Sequence, residues 1–193
     1  METVAAILYG LDIIFLISFE FLNRDYRRFS HAISDYGVGK TAGLFKTYLL
    51  AGSVAAPLLA WQFWSADHPS YPIAIIAYLL LVMLGRLALA LYPNDLRGSQ
   101  RTRNGQIHHA ATLLAFTSAF MAVAEATPLL ASTVTGPLAA ALIGLKHMIG
   151  LGFIAVVLTI SPPLRRFFGL AERLFLYAAA LWFLTASLTL PPL

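Results

Sequence analysis

Residues 72–92 read PIAIIAYLLLVMLGRLALALY, and Arg86 is the single charged residue in this run. A helix needs about 20 mostly apolar residues to cross the hydrocarbon core of a bilayer. Five further segments have the same length and character. The six predicted spans are residues 3–22, 43–65, 72–92, 109–126, 136–160 and 169–190. The sequence therefore predicts an all-α fold, in which residues 1–193 form a single polytopic membrane domain built as a six-transmembrane-helix bundle.

The composition of the whole chain excludes several classes of protein. Of its 193 residues, 59% are hydrophobic and 11% are charged, and the mean hydropathy is +0.76. A typical soluble domain carries about 25% charged residues, and it could not cover this much apolar surface with polar groups. These values exclude a soluble enzyme, a disordered tail and a nucleic-acid-binding domain. The absence of cysteine also excludes a disulfide framework and a thiolate metal site.

Lysine and arginine are distributed unequally between the two ends of the predicted bundle. Nine of them fall in the first, third and fifth connections, and none falls in the second or fourth connection or in either tail. Cytoplasmic loops are enriched in Lys and Arg. The sequence therefore predicts that these three connections face the cytoplasm and that both termini are non-cytoplasmic.

A group of polar residues falls inside the predicted spans, where a charge needs a partner or a water-filled cavity. Asp12, Lys146 and His147 have similar depths at about 1.5 Å rise per residue, so we expect Asp12 to pair with Lys146 or His147. Glu20 and Arg86 both belong to the cytoplasmic half and form a second expected pair. The first group is either a neutralised pair that fixes helix register or a proton relay. Retinal conflicts with six spans and a lysine on the fifth, and haem needs two histidines at one depth, so neither cofactor is expected.

Reactive side chains gather in the predicted cytoplasmic layer, and two kinds of chemistry could use them. The first is nucleophilic catalysis, with Ser34 as nucleophile, His109 as base and Asp95 as orienting group, beside the carboxylate of Asp35. The second is a hydrated divalent metal, with His31, Asp35, Asp95 and His109 as candidate ligands and one position open for water. A purely structural interpretation is also available, because Ser34 or Asp35 could cap a helix and Asp95 follows a proline turn.

Two arginines and a histidine in the same layer could bind a ligand. Arg97 and Arg173 are candidates for a phosphate group, since a guanidinium can hold phosphate through two parallel hydrogen bonds. His31 is the third candidate ligand-binding residue.

Four short motifs occur in a fixed order along the six spans. They are HAISDYG at 31–37, YPND at 92–95, GQIHH at 105–109 and GLAER at 169–173. Together they resemble the domain-of-unknown-function 998 family of six-span prokaryotic membrane proteins. The resemblance implies a multi-pass protein of the prokaryotic cytoplasmic (inner) membrane and singles out Ser34, Asp35, Asp95 and His109, but it implies no established activity. The first loop alone is also similar to eukaryotic membrane proteins that remodel lipid anchors.

Three hypotheses for the function follow. The first is an inner-membrane protein with a cytoplasm-facing polar pocket, centred on Asp35, Asp95 and His109, that binds or modifies a lipid or other amphiphile. The second is a small proton-coupled transporter that uses the mid-membrane Asp/Lys/His group. The third is a non-catalytic accessory subunit of a larger membrane complex, with a membrane-protein partner or a second copy of the chain as its neighbour. The sequence does not decide whether the protein is an enzyme.

Overall fold

The six apolar runs all fold as α-helices, because a backbone in lipid must satisfy its own hydrogen bonds. The computed structural model describes residues 2–22, 26–66, 72–96 and 99–190. In this part of the chain, six helices are long and apolar enough to cross a membrane, which confirms the predicted all-helical membrane fold. The helices are α1 (Glu2–Leu22), α2 (Ala42–Ser65), α3 (Ile73–Leu91), α4 (Arg103–Thr133), α5 (Pro137–Thr159) and α6 (Phe168–Thr189).

Helix α4 is longer than the predicted span 109–126. It begins at Arg103 because Thr102 caps it, accepting a hydrogen bond on its side chain from the backbone N–H of Gly105 at 3.0 Å. At its other end, α4 continues through Pro128 to Thr133. A proline is tolerated inside a membrane helix when the freed backbone groups find other hydrogen-bond partners. Pro128 therefore does not mark the end of α4.

The helices form a ring in chain order. Each helix packs against the next one, and α6 returns to pack against α1. Small residues permit the closest approaches: a Cβ on Gly85 would meet the Cβ of Ala115 at 2.8 Å, and a Cβ on Gly152 would meet the backbone of Phe175 at 2.8 Å. Helix α5 packs against α4 and α6.

Two connections contain short 3₁₀ turns. Ile33–Gly37 and Gly39–Thr41 lie between α1 and α2, and Arg165–Phe167 lies between α5 and α6. The α1–α2, α3–α4 and α5–α6 connections share one end of the bundle, which we call the basic end after their lysines and arginines.

Candidate functional site

A small cavity of about 70 Å³ lies inside the ring of helices. Small-molecule sites in proteins are mostly apolar, with a few placed polar groups, and the lining of this cavity has that character. Helices α1, α2, α3, α4 and α6 and the first 3₁₀ turn line the cavity, and α5 contributes no lining residue. The apolar lining consists of Ile33, Phe45, Leu49, Val82, Leu89, Ala115, Phe116, Ala119, Phe175, Leu176, Ala179, Ala180 and Phe183. The polar lining consists of Asp12, Ser34, Tyr48, Arg86, His108, Thr112 and Glu172.

Asp12 on α1 and Arg86 on α3 form a buried ion pair in the wall of this cavity. Two parallel contacts join them, Nη1 to Oδ2 at 2.9 Å and Nη2 to Oδ1 at 3.0 Å. The guanidinium also donates to the carbonyl oxygens of Tyr48 and Leu49 and lies 4.5 Å from the centroid of the Tyr48 ring. Gly52 on α2 makes room for it, because a Cβ at that position would overlap the guanidinium. The charge of Arg86 is therefore matched within the protein.

The expected pairing of Asp12 with Lys146 or His147 is wrong. Asp12 is fully engaged by Arg86. His147 is exposed on the outer surface of α5, Lys146 is half-buried there, and neither has an acidic partner within ion-pair distance among the described residues. Helical rise gives the depth of a residue in the membrane but not the direction in which its side chain points, and depth alone suggested the pair.

The expected pair of Glu20 and Arg86 is also wrong. The carboxylate of Glu20 contacts Nε of Arg173 at 2.6 Å and Nε of Arg28 at 3.0 Å. Arg86 is bound to Asp12, whereas Arg28 and Arg173 share Glu20. Because α1 packs between α2 and α6 in the ring, the basic-end part of α1 meets α6 rather than α3.

Arg173 is a clamp that holds the first connection onto α6. Its Nη1 donates to the carbonyl oxygens of Arg28 at 2.9 Å, His31 at 2.7 Å and Gly169 at 3.0 Å. Gly169 permits the close approach, since a Cβ there would overlap the carbonyl of His31. These contacts fix the chain around residues 28–31 and occupy most of the guanidinium. Arg173 therefore does not offer a phosphate the two parallel hydrogen bonds that were expected of it.

Asp35, predicted as a polar centre, has a structural position at the edge of the site. Its Oδ2 accepts the backbone N–H of Ala32 at 3.0 Å, which caps the first 3₁₀ turn. Its Oδ1 accepts from the side-chain amide of Asn94 at 3.2 Å, and the same amide donates to Oγ of Ser34 at 3.3 Å. Asn94 thereby connects the α3–α4 connection to the first connection. Ser34 lines the cavity and Asp35 does not.

Glu172 lines the cavity, although it is not among the site residues predicted from the sequence. It lies in the first turns of α6, is buried, and accepts the backbone N–H of Ile33 on Oε2. This contact places a carboxylate against the start of the first 3₁₀ turn, whose free N–H groups favour a negative charge. The GLAER motif contained this residue, but its burial depends on the fold of a connection more than 130 residues earlier.

His108, and not the predicted His109, faces the cavity. The Nδ1 of His108 lies 2.8 Å from the carbonyl oxygen of Tyr92. A carbonyl oxygen only accepts, so Nδ1 carries the proton and donates. The Nε2 of this ring is buried and has no hydrogen-bond partner among the described residues. His109 is exposed, because consecutive helical residues point about 100° apart.

A sequence signal for His108 existed. It precedes Ala111 and Ala115 by three and seven residues, so it shares the small-residue face of α4 that packs inside the bundle.

Asp95 closes the α3–α4 connection and does not line the cavity. Its carboxylate accepts the backbone N–H of Thr102 at 2.8 Å and the hydroxyl of Thr102 at 2.7 Å. These two hydrogen bonds hold the pKa of Asp95 below its usual value. Gly105 leaves space for the carboxylate, since a Cβ there would overlap it. The other candidate in this connection, Arg97, lies outside the described residues.

The four candidate metal ligands do not assemble into one site. No three His, Asp or Glu side chains converge on a common point within residues 2–22, 26–66, 72–96 and 99–190. His31 is engaged elsewhere: its Nδ1 accepts the backbone N–H of Arg27 at 3.0 Å, and its ring stacks on Tyr26 with centroids 5.0 Å apart. The divalent-metal hypothesis for His31, Asp35, Asp95 and His109 is therefore not supported by the geometry.

The arrangement of helices and motifs matches a known family. The family model described as "Protein of unknown function (DUF998)" matches residues 4–189. The chain belongs to this family. The match runs from the first turns of α1 to the end of α6, so it covers all six helices and every residue that lines the cavity. No curated protein and no solved structure matches the chain.

Proposed function

We propose that this DUF998 protein binds a lipid or other amphiphile in the cavity inside its helix ring. The observation that carries the proposal is the composition of the cavity wall, in which thirteen side chains are apolar and seven are polar. An amphiphile needs both kinds of surface, because its chain gains free energy when it leaves water and its head group must be hydrogen-bonded.

The polar groups are not spread evenly through the cavity. Ser34 lies in the first connection, and His108 and Glu172 lie in the first turns of α4 and α6. All three belong to the basic end. The hydrocarbon chain of a bound amphiphile would extend from there toward aromatic and small residues of α4 and α6, such as Phe116, Ala180 and Phe183.

The positive-inside bias supports an orientation for this site. With the basic end in the cytoplasm and both termini on the other side, Ser34, His108 and Glu172 would lie close to the cytoplasmic membrane surface. A prokaryotic cytoplasmic membrane is the location we propose. In this orientation a ligand head group would exchange with the inner leaflet.

The proposal is tested by filling the cavity. Ala180 lines it and is buried, so Ala180→Phe would occupy the space of the ligand chain. Ala141→Phe is the matched control, because Ala141 is exposed on α5 and α5 does not line the cavity. Each protein would be purified in mild detergent, and native mass spectrometry with analysis of the extracted lipids would report bound small molecules.

We expect the wild type and Ala141→Phe to retain a bound amphiphile and Ala180→Phe to lose it. Equal retention by all three folded proteins would contradict the proposal. Purification of the chain without any amphiphile but together with another membrane protein would favour an accessory subunit instead.

A further inference from the structure

The described lining of the cavity offers no free cation to a ligand. Arg86 is the one cation among the described lining residues, and it is bound at two points by Asp12. The other charged group of the lining is an acid, Glu172, which accepts the backbone N–H of Ile33. A phosphate or carboxylate head group would therefore enter a buried site without a cation to neutralise it, which is strongly unfavourable.

The hydrogen-bonding groups of the cavity are mainly acceptors. The Nδ1 of His108 is committed as a donor to Tyr92, so in the neutral imidazole the buried Nε2 is an acceptor without a partner among the described residues. Glu172 retains acceptor capacity beyond its contact with Ile33. Ser34 accepts from Asn94 on its oxygen and has a proton of its own to donate.

An acceptor that stays buried and unpaired is unfavourable, because it has lost its hydrogen bonds to water. The Nε2 of His108 is such an atom, and it belongs to a side chain that is 2% exposed in the lining of a cavity. A ligand O–H group would satisfy it, whereas an ester carbonyl could not.

We infer that the ligand of this cavity is an uncharged amphiphile with a hydroxyl head group. Its hydroxyl donates a hydrogen bond to Nε2 of His108 at the basic end and forms a second hydrogen bond with Ser34. This inference rests on the proposed function and specifies its substrate class. Long-chain alcohols and monoacylglycerols have the required chemistry. Free fatty acids and phosphate-bearing lipids do not.

The test compares four probes with one hydrocarbon chain: oleyl alcohol, methyl oleate, oleate and oleylamine. They differ only in the head group, as an uncharged donor, an uncharged acceptor, an anion and a cation. Pairs of probes would compete at equal concentration for the delipidated protein in detergent, and native mass spectrometry would give the ratio of bound species.

Two variants of His108 separate the role of Nε2 from the folding role of the ring. His108→Asn keeps an amide N–H at the position of Nδ1, where it can donate to Tyr92, and removes Nε2. His108→Gln places a polar group near the position of Nε2. His109→Asn is the control, because His109 is exposed. Ser34→Ala is a second way to weaken the head-group site without touching α4.

We expect oleyl alcohol to be bound about ten-fold more than methyl oleate, oleate or oleylamine, the factor that one well-made hydrogen bond provides. His108→Asn and Ser34→Ala should remove most of that preference, His108→Gln should keep part of it, and His109→Asn should keep all of it. A preference for oleate or oleylamine, or a preference for alcohol that survives both His108→Asn and Ser34→Ala, would overturn the inference.

The two proposals fail in different ways. If all four probes bind equally and Ala180→Phe abolishes their binding, the cavity holds an amphiphile and the inference about its head group is wrong. If no probe binds the wild type, or if binding is the same in Ala180→Phe, the proposed function itself is wrong.

Discussion

Arg86 holds the carboxylate of Asp12 by two parallel hydrogen bonds, 2.9 and 3.0 Å long, between α3 and α1. The side chains of the acid and the arginine are 3% and 13% exposed. Because helices α1 and α3 both pack against α2 and line the same cavity, this pair fixes the position of two cavity walls relative to each other.

Removing the charge of Asp12 should destabilise the protein. Asp12→Asn would leave the guanidinium of Arg86 buried without a counter-charge, and breaking a buried pair typically costs about 3–5 kcal/mol. The double variant Asp12→Asn/Arg86→Gln should lose less than the sum of the two single variants, since no lone charge remains. Reversible denaturation in detergent micelles would give the free energy of unfolding of each single variant and of the double variant. Additive losses would show that the two residues are not coupled.

Gly169 should control how firmly the first connection is attached. Gly169→Ala would push a methyl group into the carbonyl of His31 and weaken the clamp that Arg173 makes with residues 28–31. We expect trypsin to cut after Arg27 and Arg28 about ten-fold faster. This factor corresponds to a loss of roughly 1.4 kcal/mol in the free energy that keeps the first connection attached to α6. Gly150→Ala is the control, because its added Cβ would meet only an ordinary contact at 3.6 Å. Equal cleavage rates in both variants would contradict the claim that Gly169 lets Arg173 hold residues 28–31 on α6.

The α3–α4 connection should loosen in acid. The hydrogen bonds from Thr102 lower the pKa of Asp95 from its usual 3.8. A lowered folded-state pKa means that this contact is fully stabilising above the usual pKa and is lost as the pH falls through the lowered value. Amide exchange of Thr102, corrected for the intrinsic effect of pH, should be slow near neutral pH and become faster below 3.8. In Asp95→Asn the acid-induced change should disappear; its persistence would assign it to another group.

The orientation of the bundle can be read from single cysteines, since the natural sequence has none. Ser99→Cys lies in an exposed part of the basic end, and Thr135→Cys lies in an exposed part of the opposite end. In spheroplasts, a membrane-impermeant maleimide should label Thr135→Cys at once and Ser99→Cys only after permeabilisation. The reverse pattern would invert the proposed topology.

The amino-acid pattern predicted the helices well, because the requirement for about 20 apolar residues per span leaves few alternatives. Residues 72–92 became α3 almost unchanged, at Ile73–Leu91. The order of motifs also identified the family, which matches residues 4–189. Both inferences depend on local sequence or on sequence order, and neither requires knowledge of which helices touch.

The contacts between helices were not predictable in the same way. Asp12 and Lys146 have similar depth, but α5 packs against α4 and α6 while the partner of Asp12 comes from α3. The side chains of His108 and His109 differ by about 100° in direction, which decides that one lines the cavity and the other is exposed. Ring order and helix rotation are properties of the packed bundle, and a single sequence gives no direct measure of either.

The location of a bound amphiphile is the central claim, and photochemical labelling tests it most directly. Oleyl alcohol with a diazirine in the middle of its chain would be equilibrated with the wild-type protein, irradiated, and the adducts located by peptide mass spectrometry. We predict adducts on the cavity wall, at Phe116, Ala119 and Phe183, and their loss in Ala180→Phe. Adducts confined to outward-facing residues such as Leu113 and Leu151, unchanged in Ala180→Phe, would contradict the account.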